Sequence, residues 1–151
     1  MTLGAVSDAG PLIHLAEIDS LELLSAFDTL LIPEAVYDEI QRGGVPDEIS
    51  DISYELVEAD EDRIESGERA AIAVAKESGT VLLTDDLAAR EAASEGDIDV
   101  HGSIGVIALG HGRGLLDKDE AASRMQALQR ETSLFVTEAV VERGIRMLDE
   151  K

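Results

Sequence analysis

The chain has 151 residues, 33 of them Asp or Glu and only 12 Lys or Arg, for a net charge of −21. That balance excludes a nucleic-acid binder of the ordinary basic kind, while 43 Leu, Ile, Val and Phe residues exclude disorder, which sets in below roughly 20% of such residues. The absence of Cys removes disulfides, thiolate metal sites and Cys nucleophiles together, and fits a reducing cytoplasm.

Residues 3–7 read as a short strand. Pro11 then starts a helix reaching Ile18, at the first-turn position that proline favours, and helical spacing resumes over residues 20–27. Leu30, Leu31 and Ile32 form a second strand, and Pro33 opens a helix that ends near Arg42, before Gly43-Gly44. Residues 52–57 read as a weak edge strand. Ser66 is placed to cap a helix over residues 67–78, which Gly79 stops. Residues 80–84, TVLLT, are the apolar run expected of a buried parallel strand. A helix over residues 86–95 ends at Gly96, a strand follows over residues 98–100, and residues 104–109, 118–129 and 137–148 read as helices. Alternating strands and helices predict an α/β fold with a parallel sheet. The length predicts a single domain over residues 1–151. No apolar run approaches the roughly 18 residues of a membrane span and the N-terminus has no signal-peptide pattern, so a cytoplasmic protein away from membranes is expected.

Most of the acids fall on outer helix faces, spread along the whole chain. Such a coat reads as halophilic adaptation, because molar salt screens charge repulsion within about 3 Å. With so many carboxylates, the informative ones are those that break the pattern. Advancing about 100° per residue, Glu68 falls inside the apolar arc of Ala71, Ile72, Val74 and Ala75, whereas Glu77 faces outward. Glu39 likewise shares an arc with Ala35, Val36, Tyr37 and Ile40, and Glu34 and Asp38 fall outside it. Asp8 follows the first strand, and Asp85 and Asp86 follow TVLLT. These are the carboxyl ends of predicted parallel strands, where open α/β sheets place their ligand crevice. Acids converging there from four elements would repel one another by several kcal/mol unless they were protonated or held a cation. A hard divalent ion with oxygen ligands, Mg²⁺ or Mn²⁺, suits them best. The plainer readings are that Glu68 favours a helix dipole, Asp86 caps a helix or pairs with Arg90, and Asp8 belongs to a turn.

In order, SDAGPLIHLAEI, LLIPEAVYDEI, SGERAAIAVAKESGTVLLTDDLAAREAA and VHGSIGVI resemble a PIN domain, especially the group related to the toxins of VapBC systems. The resemblance covers nearly the whole chain and is most specific over residues 66–109. It implies a three-layer α/β/α fold around a central parallel sheet, and a metal-dependent endoribonuclease that hydrolyses RNA phosphodiester bonds. The metal would be one or two Mg²⁺ or Mn²⁺ ions. It implies Asp8, Glu39, Glu68 and Asp86 as the catalytic acids, with Asp8, Glu68 and Asp86 as metal ligands and Asp85 as an alternate. Arg90 and Arg69 would contact the substrate, and Thr84 would orient a carboxylate. Many toxin relatives carry a hydroxyl or amide residue just after the first acid, where this sequence has Ala9 and Gly10. The implied partners are RNA, a small antitoxin and a second copy in a homodimer; Leu115, Leu116, Leu134 and Phe135 are candidates for that contact, with core packing as their plainer use. A noncatalytic PIN-like module that binds RNA or protein is the alternative.

Other signals carry less. His14, His101 and His111 have no metal-ligand spacing, and His14 reads as part of a half-buried helix face. The GHGRG stretch at residues 110–114 follows a helix and lacks the lysine of a phosphate loop. No nucleophile-elbow sequence accompanies Ser7 and Asp8, and no lysine stands where a phospho-acceptor receiver would need one.

Overall fold

The computed structural model of the chain describes residues 4–43, 52–57, 67–132, 134 and 137–149, without the side chains of residues 43 and 67–69. Ser66, Gly44 and Phe135 therefore lie outside the described residues. Five parallel strands, β1 (Gly4–Ser7), β2 (Thr29–Pro33), β3 (Glu55–Val57), β4 (Val81–Leu83) and β5 (Val100–His101), form one sheet in the order β3-β2-β1-β4-β5. Val6 stands opposite Leu31 on one side and Leu82 on the other. Successive strand residues point to opposite faces, and Ala5 and Val6 are both fully buried, so helices cover the sheet on both faces.

The helices are α1 (Ala9–Glu17), α2 (Glu34–Gly43), α3 (Gly67–Ser78), α4 (Leu87–Glu95), α5 (Ser103–Gly112), α6 (Lys118–Glu131) and α7 (Glu138–Met147). One set gathers around α5, which meets α1, α6, α7 and a 3-10 turn over Leu21–Ala26. The other gathers around α3, which lies on β1 and β2 and touches α2 and α4. Leu12, Leu15, Leu82, Ile107 and Met125 are among the largest fully buried side chains. Leu116 also joins the core, whereas Leu115 is exposed. Among the described residues no helix is long and apolar enough to cross a membrane.

The sequence expectations and the structure differ mainly at element ends. Helix α1 starts at Ala9 and not at Pro11, because the Asp8 side chain accepts the Ala9 N–H and caps it. Asp86 is the cap of α4 and not its first residue. Residues 20–27 hold a 3-10 turn in place of a helix, and β5 is displaced from residues 98–100 to Val100–His101. Helix α5 runs on through Gly110 and Gly112, and the turn comes at Gly114, whose φ of 81° suits glycine.

Near the C-terminus, α7 approaches α5 and α6 at Gly144. A Cβ there would lie 2.7 Å from Ile104 Cγ2 and 3.0 Å from Met125 Sδ. Gly144→Ala should therefore destabilise the fold by about 1–3 kcal/mol through overpacking. Thermal unfolding checks this, and an unchanged Tm would contradict the close approach.

Candidate functional site

Strand order makes the place of a site before any side chain is considered. From β1 the sheet grows outward through β2 to β3 on one side and through β4 to β5 on the other, so the chain changes direction between β1 and β4. Ligand crevices form outside the carboxyl ends of strands at such switch points. Asp8 directly follows β1, and Thr84, Asp85 and Asp86 directly follow β4. A cleft of about 370 Å³ opens there, lined by Asp8, Glu39, Asp85 and Asp86 together with His14 and Leu134.

Asp8 is buried to 8% exposure. Its Oδ1 accepts the Ala9 N–H at 2.8 Å and its Oδ2 accepts the Thr84 hydroxyl at 2.9 Å. The hydroxyl that the sequence lacks after Asp8 is thus delivered from the neighbouring strand end. Thr84 Oγ1 also accepts the Asp86 N–H at 3.2 Å, so one buried hydroxyl links the two strand-end acids. Burial pushes the Asp8 carboxyl above its ordinary value of 3.8, and the charges of Glu39 and Asp86 add to the rise against those hydrogen bonds. Asp86 is exposed, and its Oδ1 accepts the Ala88 N–H at 2.9 Å. Glu39 is half-buried on α2.

Asp85 has a different environment. His14 Nδ1 lies 2.8 Å from its Oδ2, the Ser103 hydroxyl donates to the same oxygen at 2.6 Å, and the Ser103 N–H donates to Oδ1 at 2.7 Å. An ionised carboxylate only accepts, so Nδ1 is the protonated nitrogen of His14. Burial pushes the Asp85 carboxyl up, but the bonds from His14 and Ser103 and the charge of His14 outweigh it and leave the group below 3.8. Three donors from the protein thus hold the two oxygens of Asp85, where Asp8 receives two.

Three further sequence candidates stand on α3 and α4. Glu68 and Arg69 stand in the first turn of α3, which returns the chain from the carboxyl edge of the sheet to β4; their side chains lie outside the described residues. Arg90 is exposed on α4, one turn beyond Asp86, whose carbonyl accepts its N–H at 3.0 Å. Leu134 lines the cleft and packs, partly buried, against the core. Sequence reasoning set His14 aside and passed over Ser103. Ser103 was detectable as a hydroxyl residue directly after the Gly that ends a strand, while the pairing of His14 with Asp85 across 71 positions leaves no local signal.

Chemically, the cleft offers carboxylate oxygens, hard donors that suit a hard divalent cation retaining some of its water. Among the described residues no group of three or more His, Asp or Glu side chains is placed to hold a metal ion. Burial is the main reason that the Asp8 carboxyl is raised, and the charges of Glu39 and Asp86 add to it; a cation in the cleft would relieve that added repulsion.

The family model DUF3368, a PIN domain, matches residues 4–150. No curated protein matches the sequence significantly. Among solved structures, the fold is similar to that of a PilT N-terminus domain protein from the hyperthermophilic archaeon Sulfolobus solfataricus P2. The TM-score is 0.57 at 17% identity, over 69% of this chain and 90% of that one. At that identity the likeness concerns the fold, an α/β arrangement around a central parallel sheet.

The two carboxyls shift in opposite directions, so they make opposite contributions to stability. Asp8, with its pKa raised on folding, favours the folded state while protonated and loses that contribution as pH rises through its folded pKa. Asp8→Asn should therefore raise Tm at neutral pH in metal-free buffer, and the gain should vanish below pH 3.8, the ordinary value. Asp85, with its pKa lowered, stabilises above 3.8 and loses this as pH falls through its folded pKa. Asp85→Asn should lower Tm at neutral pH. Thermal melts across pH check both signs, and equal shifts of the two variants would contradict them.

Proposed function

Since the chain belongs to the PIN domain family, whose members are generally nuclease-like, we propose that it is an endoribonuclease that hydrolyses RNA phosphodiester bonds with Mg²⁺ or Mn²⁺ held in the acidic cleft. The observation that carries the proposal is the buried Asp8 at the end of β1, its pKa raised by burial and by Glu39 and Asp86 on the same cleft. Asp8, Asp86 and Glu68 are the proposed metal ligands, and Glu39 is a ligand or orients the attacking water. When bound, the ion supplies Lewis acidity at the phosphate and lowers the pKa of a water.

The chain's own residues do the rest of the work in this proposal. Thr84 fixes the Asp8 carboxylate by donating to Oδ2 and holds the Asp86 backbone by accepting its N–H. The caps on Ala9 and Ala88 tie both acids to helix N-termini, whose partial positive charge favours anions. Arg90 and Arg69 are the proposed supplementary contacts to RNA. We read the acidic coat as adaptation to molar salt. Phosphate affinity through counterion release by Lys and Arg falls steeply there, so contact through a bound cation suits a chain at −21. A toxin role adds one requirement, a small antitoxin that blocks the cleft, and a homodimer would set two clefts side by side. Coexpression with the product of an adjacent short reading frame, followed by mass measurement of the complex, tests both partners.

RNA cleavage assayed at molar KCl with Mg²⁺ or Mn²⁺ should stop on addition of EDTA. Asp8→Asn should lower the rate at least about 100-fold, the lower end of what positioned catalytic groups contribute, with the fold retained. Cleavage that persists in EDTA would contradict the metal role. RNA binding without turnover by the wild-type chain would favour the noncatalytic PIN-like binding module.

A further inference from the structure

We propose that Asp85 is a positioning residue that sets where Asp8 stands relative to Asp86. The proposal deepens the nuclease reading and rests on it for its catalytic meaning. Three segments far apart in the chain meet on this one carboxylate: His14 from the second turn of α1, the residue itself at the end of β4, and Ser103 at the start of α5. Its side chain is only 8% exposed and that of His14 14%. Three donors at 2.6 to 2.8 Å fill both oxygens. Charge-assisted bonds of this length are roughly twice as strong as neutral ones and hold geometry tightly.

Backbone approach shows that the arrangement is built into the fold. A Cβ on Gly102 would sit 2.8 Å from Asp85 Oδ1 and 3.5 Å from the Thr84 carbonyl oxygen. Only glycine lets the chain come close enough for the next N–H, that of Ser103, to reach the carboxylate. The elements that Asp85 joins are the ones that carry the proposed ligands. Helix α1 begins on its Asp8 cap, and α4 begins on its Asp86 cap, one residue beyond Asp85. Thr84, one residue before it, spans the two acids. Through His14 the clamp fixes α1 against β4, and through Ser103 it fixes α5 against the same strand end. With Asp85 released, the Thr84 hydroxyl and the strand ladder would remain to join Asp8 and Asp86.

Ser103→Ala removes one donor with little change of volume, and Asp85→Asn removes the charge. Two measurements on the full chain separate positioning from general stability. Without metal, amide hydrogen exchange is followed at Asp8 and Thr84, whose N–H groups donate to Leu83 O at 2.8 Å and His101 O at 3.0 Å. The reference is Leu82, whose N–H donates to Asp99 O at 2.9 Å, farther back along β4. In Ser103→Ala, exchange at Asp8 and Thr84 should rise about 10-fold relative to Leu82, as local opening does. Exchange that rises equally at all three amides, or at none, would overturn the proposal. Mn²⁺ affinity, read from the free-ion electron paramagnetic resonance signal, should weaken about 10-fold in the same variant, the scale of lost outer support at metal sites. Unchanged Mn²⁺ affinity would also overturn it. Failure of the wild-type chain to bind Mn²⁺ would overturn the metal-dependent reading, and the exchange result would still decide whether Asp85 positions the two acids.

Discussion

A carboxylate buried at the end of the central strand is the constraint to which the surrounding structure answers. Left uncompensated, a buried carboxylate costs several kcal/mol. Asp8 is compensated by the Ala9 N–H, the Thr84 hydroxyl and the N-terminus of the helix that it caps. Each of these follows from the topology. Because β1 and β4 are neighbours at the switch point, the residue after β4 can bond to the residue after β1. Helices α1 and α4 then both begin at the same edge of the sheet. The compensation is incomplete, since burial outweighs these bonds, the like charges of Glu39 and Asp86 add to it, and the carboxyl is held above its ordinary value.

Adjacent acids at the end of β4 divide between two tasks. Asp85 is held by His14 and Ser103 with a lowered pKa, and Asp86 is exposed beside the cleft as a helix cap. Side-chain direction alternates at a strand end, so neighbouring residues of one chemical type meet different surroundings. With Asp8 and half-buried Glu39 they form a small group of acids lining the cleft, distinct from the many acids of the coat. The net charge of −21 describes the outward coat; the chemistry proposed here depends on the few acids that the sheet edge and α2 turn inward.

Much of this was legible in the chain. TVLLT announced a buried parallel strand, and the acids after it and after the first strand fell at the carboxyl edge because strand ends are punctuated locally. Helical phase singled out Glu39, which the structure places half-buried on the cleft. Caps were harder, since Asp8 was read as a strand end or turn and Pro11 as the helix start, whereas the Asp8 side chain starts the helix two residues earlier. The 3-10 turn at Leu21–Ala26 has the apolar spacing of a helix and is decided by its packing against α5. The clamp on Asp85 was not legible, because residues 14, 85 and 103 are brought together only by the sheet order.

The most direct measurement is anomalous diffraction from crystals of the chain grown with Mn²⁺. The account predicts a strong peak in the cleft, within coordination distance of Asp8 and Asp86, with Asp85 still bonded to His14 and Ser103. An empty cleft at saturating Mn²⁺, or a cleft whose acids are neutralised by a basic side chain of the same chain, would contradict it.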